Sequence, residues 1–113
     1  MAEPTVTDVT DRKPRRYEIS VDGVQAGLAA YVDTATKRLF YHTETSDGFA
    51  GQGLASKLVA AALADTRASG KRIVAICPFV AAYVDKHDDF DNILDPVTPR
   101  AHAVVRTELA DDA

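Results

Sequence analysis

Tryptophan is absent from this chain, cysteine occurs once, and the single methionine is the first residue. A lone cysteine, Cys77, excludes an internal disulfide framework and fits a reducing compartment. No run of about 20 apolar residues occurs, and the first residues lack the apolar block of a secretion signal. A surplus of positive charge is missing too: 13 Lys and Arg stand against 17 Asp and Glu, a net charge of −4. That balance gives no support to nucleic acid or an anionic membrane surface as partners. The expectation is a soluble, cytoplasmic protein. Its 113 residues, 46% hydrophobic and 27% charged, suffice for one two-layer core and little more.

Residues 1–15 are polar, hold two prolines and show no sustained period, so they read as a flexible leader. From Tyr17 the pattern changes. Tyr17, Ile19 and Val21 alternate with polar residues, Asp22-Gly23 follows, and Val24 to Val32 is strand-like. Asp-Gly between two such runs predicts a tight hairpin. Arg38 to Glu44 supplies a third strand of a meander. A helix is predicted over 54–69, with Leu54, Leu58, Val59, Ala62, Leu63 and Thr66 on one face and Gly70 as its stop. Arg72 to Cys77 reads as a short buried strand. Pro78 opens a second helix over 78–87, with Phe79, Val80, Tyr83, Val84 and His87 on its inner stripe. Strand, helix and strand in succession imply a parallel crossover. The tail stays open: Thr98-Pro99 could cap a helix, or His102 to Glu108 could add a strand. The predicted organisation is one α/β domain over 16–95 followed by a C-terminal extension, 96–113.

Between the third strand and the first helix lies Gly48-Phe-Ala-Gly-Gln-Gly-Leu-Ala55, with three glycines in six residues. A Walker loop fails, because Leu54-Ala55 stands where Lys-Ser or Lys-Thr is required. A dinucleotide fingerprint wants a carboxylate at the end of the next strand, which instead reads Ile76-Cys77-Pro78. A third option is a cradle for the pyrophosphate of coenzyme A. That chemistry wants backbone amides converging at a helix N-terminus, with small residues that leave them accessible.

His42-Thr-Glu44, Gly51-Gln-Gly-Leu-Ala-Ser-Lys-Leu58, and Cys77-Pro-Phe-Val-Ala-Ala-Tyr83 through His87 together resemble the GNAT acetyltransferase superfamily. The resemblance is greatest to its short YjdJ-type N-acetyltransferase domain and covers roughly residues 17–94. It implies a single small GNAT-like α/β domain with a mostly antiparallel sheet, a parallel crossover and two main helices. Acetyl-CoA would be the co-substrate and an amine, small molecule or peptide, the acceptor. Gly51, Gln52, Gly53, Leu54, Ala55 and Ser56 would hold the coenzyme, pantetheine would run between two separating strands, and Tyr83 would lie near the sulfur as acid. Two departures stand out. Ala50 occupies a place where the family usually carries Arg or Gln. Asp22-Gly23 leaves no room for the two helices that commonly wall the acceptor side, which suits an extended amine.

Acetyl transfer to an amine needs a base, a polarised thioester carbonyl and an acid for the leaving thiolate. Cys77, just before a helix, is a candidate nucleophile as well as a candidate buried hydrophobe. Tyr83 is a candidate acid and equally an inward packing aromatic. His42 and Glu44, two apart on a strand alongside Phe40, are expected on one face as candidate bases. No metal site is expected. Asp85, Asp88, Asp89 and Asp91 read as a solvated acidic turn able to attract a basic substrate. Two functional readings follow: an N-acetyltransferase, or a coenzyme A-binding module without turnover.

Overall fold

In the computed structural model, residues 4–46 and 53–111 are described. The chain runs β1 (Thr5–Val9), β2 (Arg16–Val21), β3 (Val24–Asp33), β4 (Lys37–Thr45), α1 (Leu54–Ala68), β5 (Arg72–Ala75), α2 (Pro78–Lys86), a 3-10 segment (Asp88–Ile93), β6 (Leu94–Asp95) and α3 (Pro99–Asp111). One six-stranded sheet holds the strands in sequence order. β1 to β4 pair antiparallel, while β4, β5 and β6 pair parallel. This is the small α/β domain expected from the sequence, with its meander and its crossover.

The local chemistry accounts for the elements. Asp22 and Gly23 both take positive φ, 54° and 79°, in the two-residue turn between Val21 and Val24. α1 buries Leu54, Leu58, Val59, Ala62, Leu63 and Thr66, the six residues assigned to its inner face. After its last turn, Lys71 N–H donates to the Thr66 carbonyl and Gly70 N–H to that of Arg67, the two bonds of a Schellman-type stop. α1 and α2 cover one face of the sheet around Tyr17, Ile19, Tyr31, Phe40 and Ile73. On the other face Val32, Leu39 and Val74 meet Ala101 and Val105 of α3.

Three expectations change. Residues 5–9, within the stretch read as a leader, form β1 at the sheet edge. Val6 packs on the core, and Asp8 accepts a 2.6 Å hydrogen bond from the Tyr31 hydroxyl. The tail resolves as a helix, with the Thr98 hydroxyl accepting from Ala101 N–H at 3.2 Å, so α3 joins the two main helices. On α2 only Val80 and Val84 are buried, while Phe79 is 40% exposed and His87 lies in solvent. A nine-residue helix packed on β5 and β4 buries one narrow stripe, and the aromatic residues flanking it remain at the rim.

Candidate functional site

β4 and β5 pair in register only from Lys37↔Arg72 to Phe40↔Ala75. There the Phe40 carbonyl accepts from both Ile76 N–H, at 3.0 Å, and Cys77 N–H, at 2.8 Å. β4 continues to Thr45 beside β3, whereas β5 has ended and the chain turns into α2. The two strands part at Phe40, leaving a cleft. Across it the Thr43 hydroxyl and the Cys77 thiol lie 3.3 Å apart, at hydrogen-bond distance for a sulfur partner. Cys77 is 4% exposed and forms the last residue before Pro78 and α2.

The strand alternation is out of phase with the sequence-based expectation. Ala30 pairs with His42 but Tyr31 pairs with Phe40, so Tyr41 is an extra residue on β4, a β-bulge. A one-residue insertion exchanges the two faces for every residue beyond it. Phe40 therefore stays in the core with Tyr17 and Tyr31, while Thr43 turns to Cys77. His42 and Glu44, expected beside Phe40, point to the other side. They stand 53% and 59% exposed, with Nε2 and Oε1 3.1 Å apart. Thr43 was not singled out from sequence. Its only signal lay in sitting between two candidate bases on a strand whose phase was read without the bulge.

The glycine loop falls largely outside the described residues, including Gly48, Ala50, Gly51 and Gln52. Gly53 is described: it precedes α1 with φ 70° and ψ 12°, and its carbonyl accepts from Lys57 N–H at 3.2 Å. No side chain caps this end and no acidic residue lies in its first turn. The amides of Leu54, Ala55 and Ser56 thus open the helix with no partner inside it. Ser56 also lines a shallow cavity of about 140 Å³ with Phe79, Tyr83, Lys86 and His87. Tyr83 is half-buried there, its ring stacked on His87 with centroids 4.3 Å apart. No hydrogen bond among the described residues joins Tyr83 to Cys77, or either of them to the His42–Glu44 pair.

Behind the cleft, a buried polar network holds β4 in place. Arg38 is 6% exposed. Its guanidinium makes two bonds to Asp33, 2.7 and 2.9 Å, donates to the Tyr17 oxygen, and lies 4.5 Å over the Tyr31 ring. Tyr17 donates to Asp65 of α1 at 2.6 Å. Burial, reinforced by bonds to Asp65 and to Asp8, pushes the Tyr17 and Tyr31 hydroxyls above the ordinary tyrosine range. Burial alone would depress Arg38, but its bonds to Asp33 and its contacts with the two tyrosines raise it. These groups hold the scaffold and stay in one charge state at neutral pH.

A small domain with a mixed sheet that splays at a parallel pair, next to an uncapped helix N-terminus, is the class defined here. A family model of GCN5-related N-acetyltransferases matches residues 16–93, more than half of the chain, and the protein belongs to that family. Among curated proteins none matches the chain. The family usually takes acetyl-CoA, and no cluster of metal-ligating side chains occurs among the described residues. Among those residues no helix is long and apolar enough to cross a membrane.

Proposed function

We propose that the protein is an acetyl-CoA-dependent N-acetyltransferase of the short YjdJ type, acting in the cytoplasm on an amine acceptor. The observation that carries this reading is the parting of β4 and β5 at Phe40 beside the open N-terminus of α1. The thioester arm would lie along the unpaired edge of β4. The pyrophosphate would sit on the amides from Gly51 through Ser56, where the helix dipole favours an anion. The acyl carbon would then come close to Thr43 and Cys77. In the covalent route the Cys77 thiolate attacks the thioester carbonyl and coenzyme A leaves as its thiolate, which takes a proton from Tyr83. Since His42 and Glu44 point to the other side of the sheet, the amine would lose its proton to water. It next attacks the acetyl-cysteine and expels the Cys77 thiolate, while Tyr83 regains its proton from water. In the direct route the amine attacks acetyl-CoA itself and Cys77 only packs. The exposure of His42 and Glu44 favours an acceptor that approaches from the open side of the sheet, such as an extended peptide or polyamine.

The low exposure of Cys77 is the observation on the side of a coenzyme A-binding module without turnover. Three measurements divide these readings. Acetyl-CoA raises the melting temperature under either, and no shift at saturation would remove both. Thiol release that depends on an added amine supports transfer, whereas binding without it supports the module. Intact mass after acetyl-CoA is expected to show an acetyl adduct that Cys77→Ala abolishes. Full turnover in both Cys77→Ala and Tyr83→Phe would overturn the residue assignments.

A further inference from the structure

A second cavity, of about 280 Å³, lies under α3 on the face of the sheet opposite α1 and α2. Leu39, Val74, Ala101 and Val104 give it an apolar floor, and Lys37 and Arg100 are among its lining residues. It is remote from the cleft in two ways. It sits at the start of β4, where Lys37 pairs with Arg72, whereas the cleft opens after Phe40 near the strand's other end. The sheet also lies between them. For comparison, an engineered cavity of about 150 Å³ lined by apolar residues holds benzene.

Charge around this cavity runs against the charge of the chain. The protein carries a net charge of −4, yet Lys37, Lys71, Arg72 and Arg100 gather at this end. One carboxylate, Asp95, answers two of them: it lies 3.2 Å from Lys37 and takes a hydrogen bond from Arg72. Lys71 donates to the Thr34 carbonyl at 2.7 Å, a neutral acceptor on a residue that lines the cavity. Arg100 makes no ion pair among the described residues. An apolar floor with one cation, Arg100, unpaired among the lining residues suits a molecule with a short hydrocarbon body and one negative end.

We infer that the cavity under α3 is a binding site for a small soluble carboxylate with a short hydrocarbon chain, separate from the acyl-transfer cleft. The chain would lie on Leu39 and Val74, and the carboxylate would meet the Arg100 guanidinium, with the Thr36 and Thr98 hydroxyls nearby. This assignment does not depend on whether the protein transfers acetyl groups.

The test uses the whole protein, sodium hexanoate as probe, and two-dimensional amide NMR at constant ionic strength. Hexanoate is expected to shift the resonances of Leu39, Val74, Ala101 and Val104 saturably, leaving Ser56 and Tyr83 unmoved. Arg100→Gln, at an exposed position, should fold normally and weaken binding at least fivefold. Val104→Phe, which fills the cavity, should abolish the shifts. Hexylammonium, the same chain with opposite charge, should leave the cavity residues unshifted. The proposal is overturned if hexanoate shifts no cavity residue, if hexylammonium or plain acetate acts as strongly, or if Arg100→Gln binds hexanoate unchanged.

Discussion

Arg38 shows how a charged residue becomes part of a core. It is almost fully withdrawn from water, and every direction of its guanidinium is answered by Asp33, Tyr17 or the Tyr31 ring. Removing one partner is therefore costly: Asp33→Ala leaves a buried cation whose remaining carboxylate is Asp65, 3.6 Å away, an expected loss of about 3 kcal/mol in chemical denaturation. The tyrosines of the same network set an alkaline limit. Their folded-state values lie above the unfolded one, so their contribution is complete below about pH 10 and is lost as pH rises beyond it. Titration at 295 nm should show part of the tyrosinate absorbance appearing only together with loss of the circular-dichroism signal. Tyr17→Phe should reduce that part. None of this was legible in the sequence, where Arg38 reads as the polar start of a strand; burial of a charge depends on partners that only the fold assembles. Gly27 is a further case. A Cβ there would come within 2.6 Å of the Glu44 carbonyl oxygen. Gly27→Ala must push β4 away and should cost about 1–3 kcal/mol, measured as a fall in melting temperature.

Strands and helices were read from sequence with unequal success, and the reason is periodicity. α1 was legible in full because fifteen residues sample its period four times, so single exceptions do not blur the stripe. β4 was legible as a strand and misread in phase, because its period is two and one inserted residue, Tyr41, inverts everything after it. That slip exchanged the proposed cleft residue Thr43 for His42 and Glu44. α2 is short enough that its stripe was drawn too wide. The tail offered two patterns, and the capping bond from Ala101 to Thr98 belongs to the helical one. Thr98→Ala should cost about 1 kcal/mol of stability through α3. Asp95 links the start of that tail to Lys37 and Arg72. Burial works against its ionised form, but the bonds from Arg72 and Lys37 outweigh this and hold its carboxyl below the usual carboxylate range. Its contribution is thus present above the unfolded carboxylate value and lost as pH falls through the lowered one. Protection of the amides around β6, measured against the intrinsic exchange rate at each pH, should fall in acid, and Asp95→Asn should make that protection less dependent on pH.

For the molecule as a whole, what reaches across the sheet matters more than any one element. The strand that precedes α1 and the crossover that follows it were both legible, because they are local patterns in unbroken order. The cleft was expected only through the family resemblance, as a passage between two separating strands, since no local pattern marks where two strands stop pairing. The family match spans 16–93, but β1, β6 and α3 lie outside it and still complete the folded body. The matched segment and the folded body are therefore different objects in this protein. A shortened chain ending at the limits of the match would bare the backbone edge of β2 and uncover Leu39 and Val74 on the α3 face. It would also leave the Tyr31 hydroxyl without Asp8. Such a chain should melt at a lower temperature than the full one and self-associate as its concentration rises, detectable by light scattering. The recognisable acetyltransferase segment is in this sense a tenant of its own termini, and laboratory work on it should begin with both of them in place.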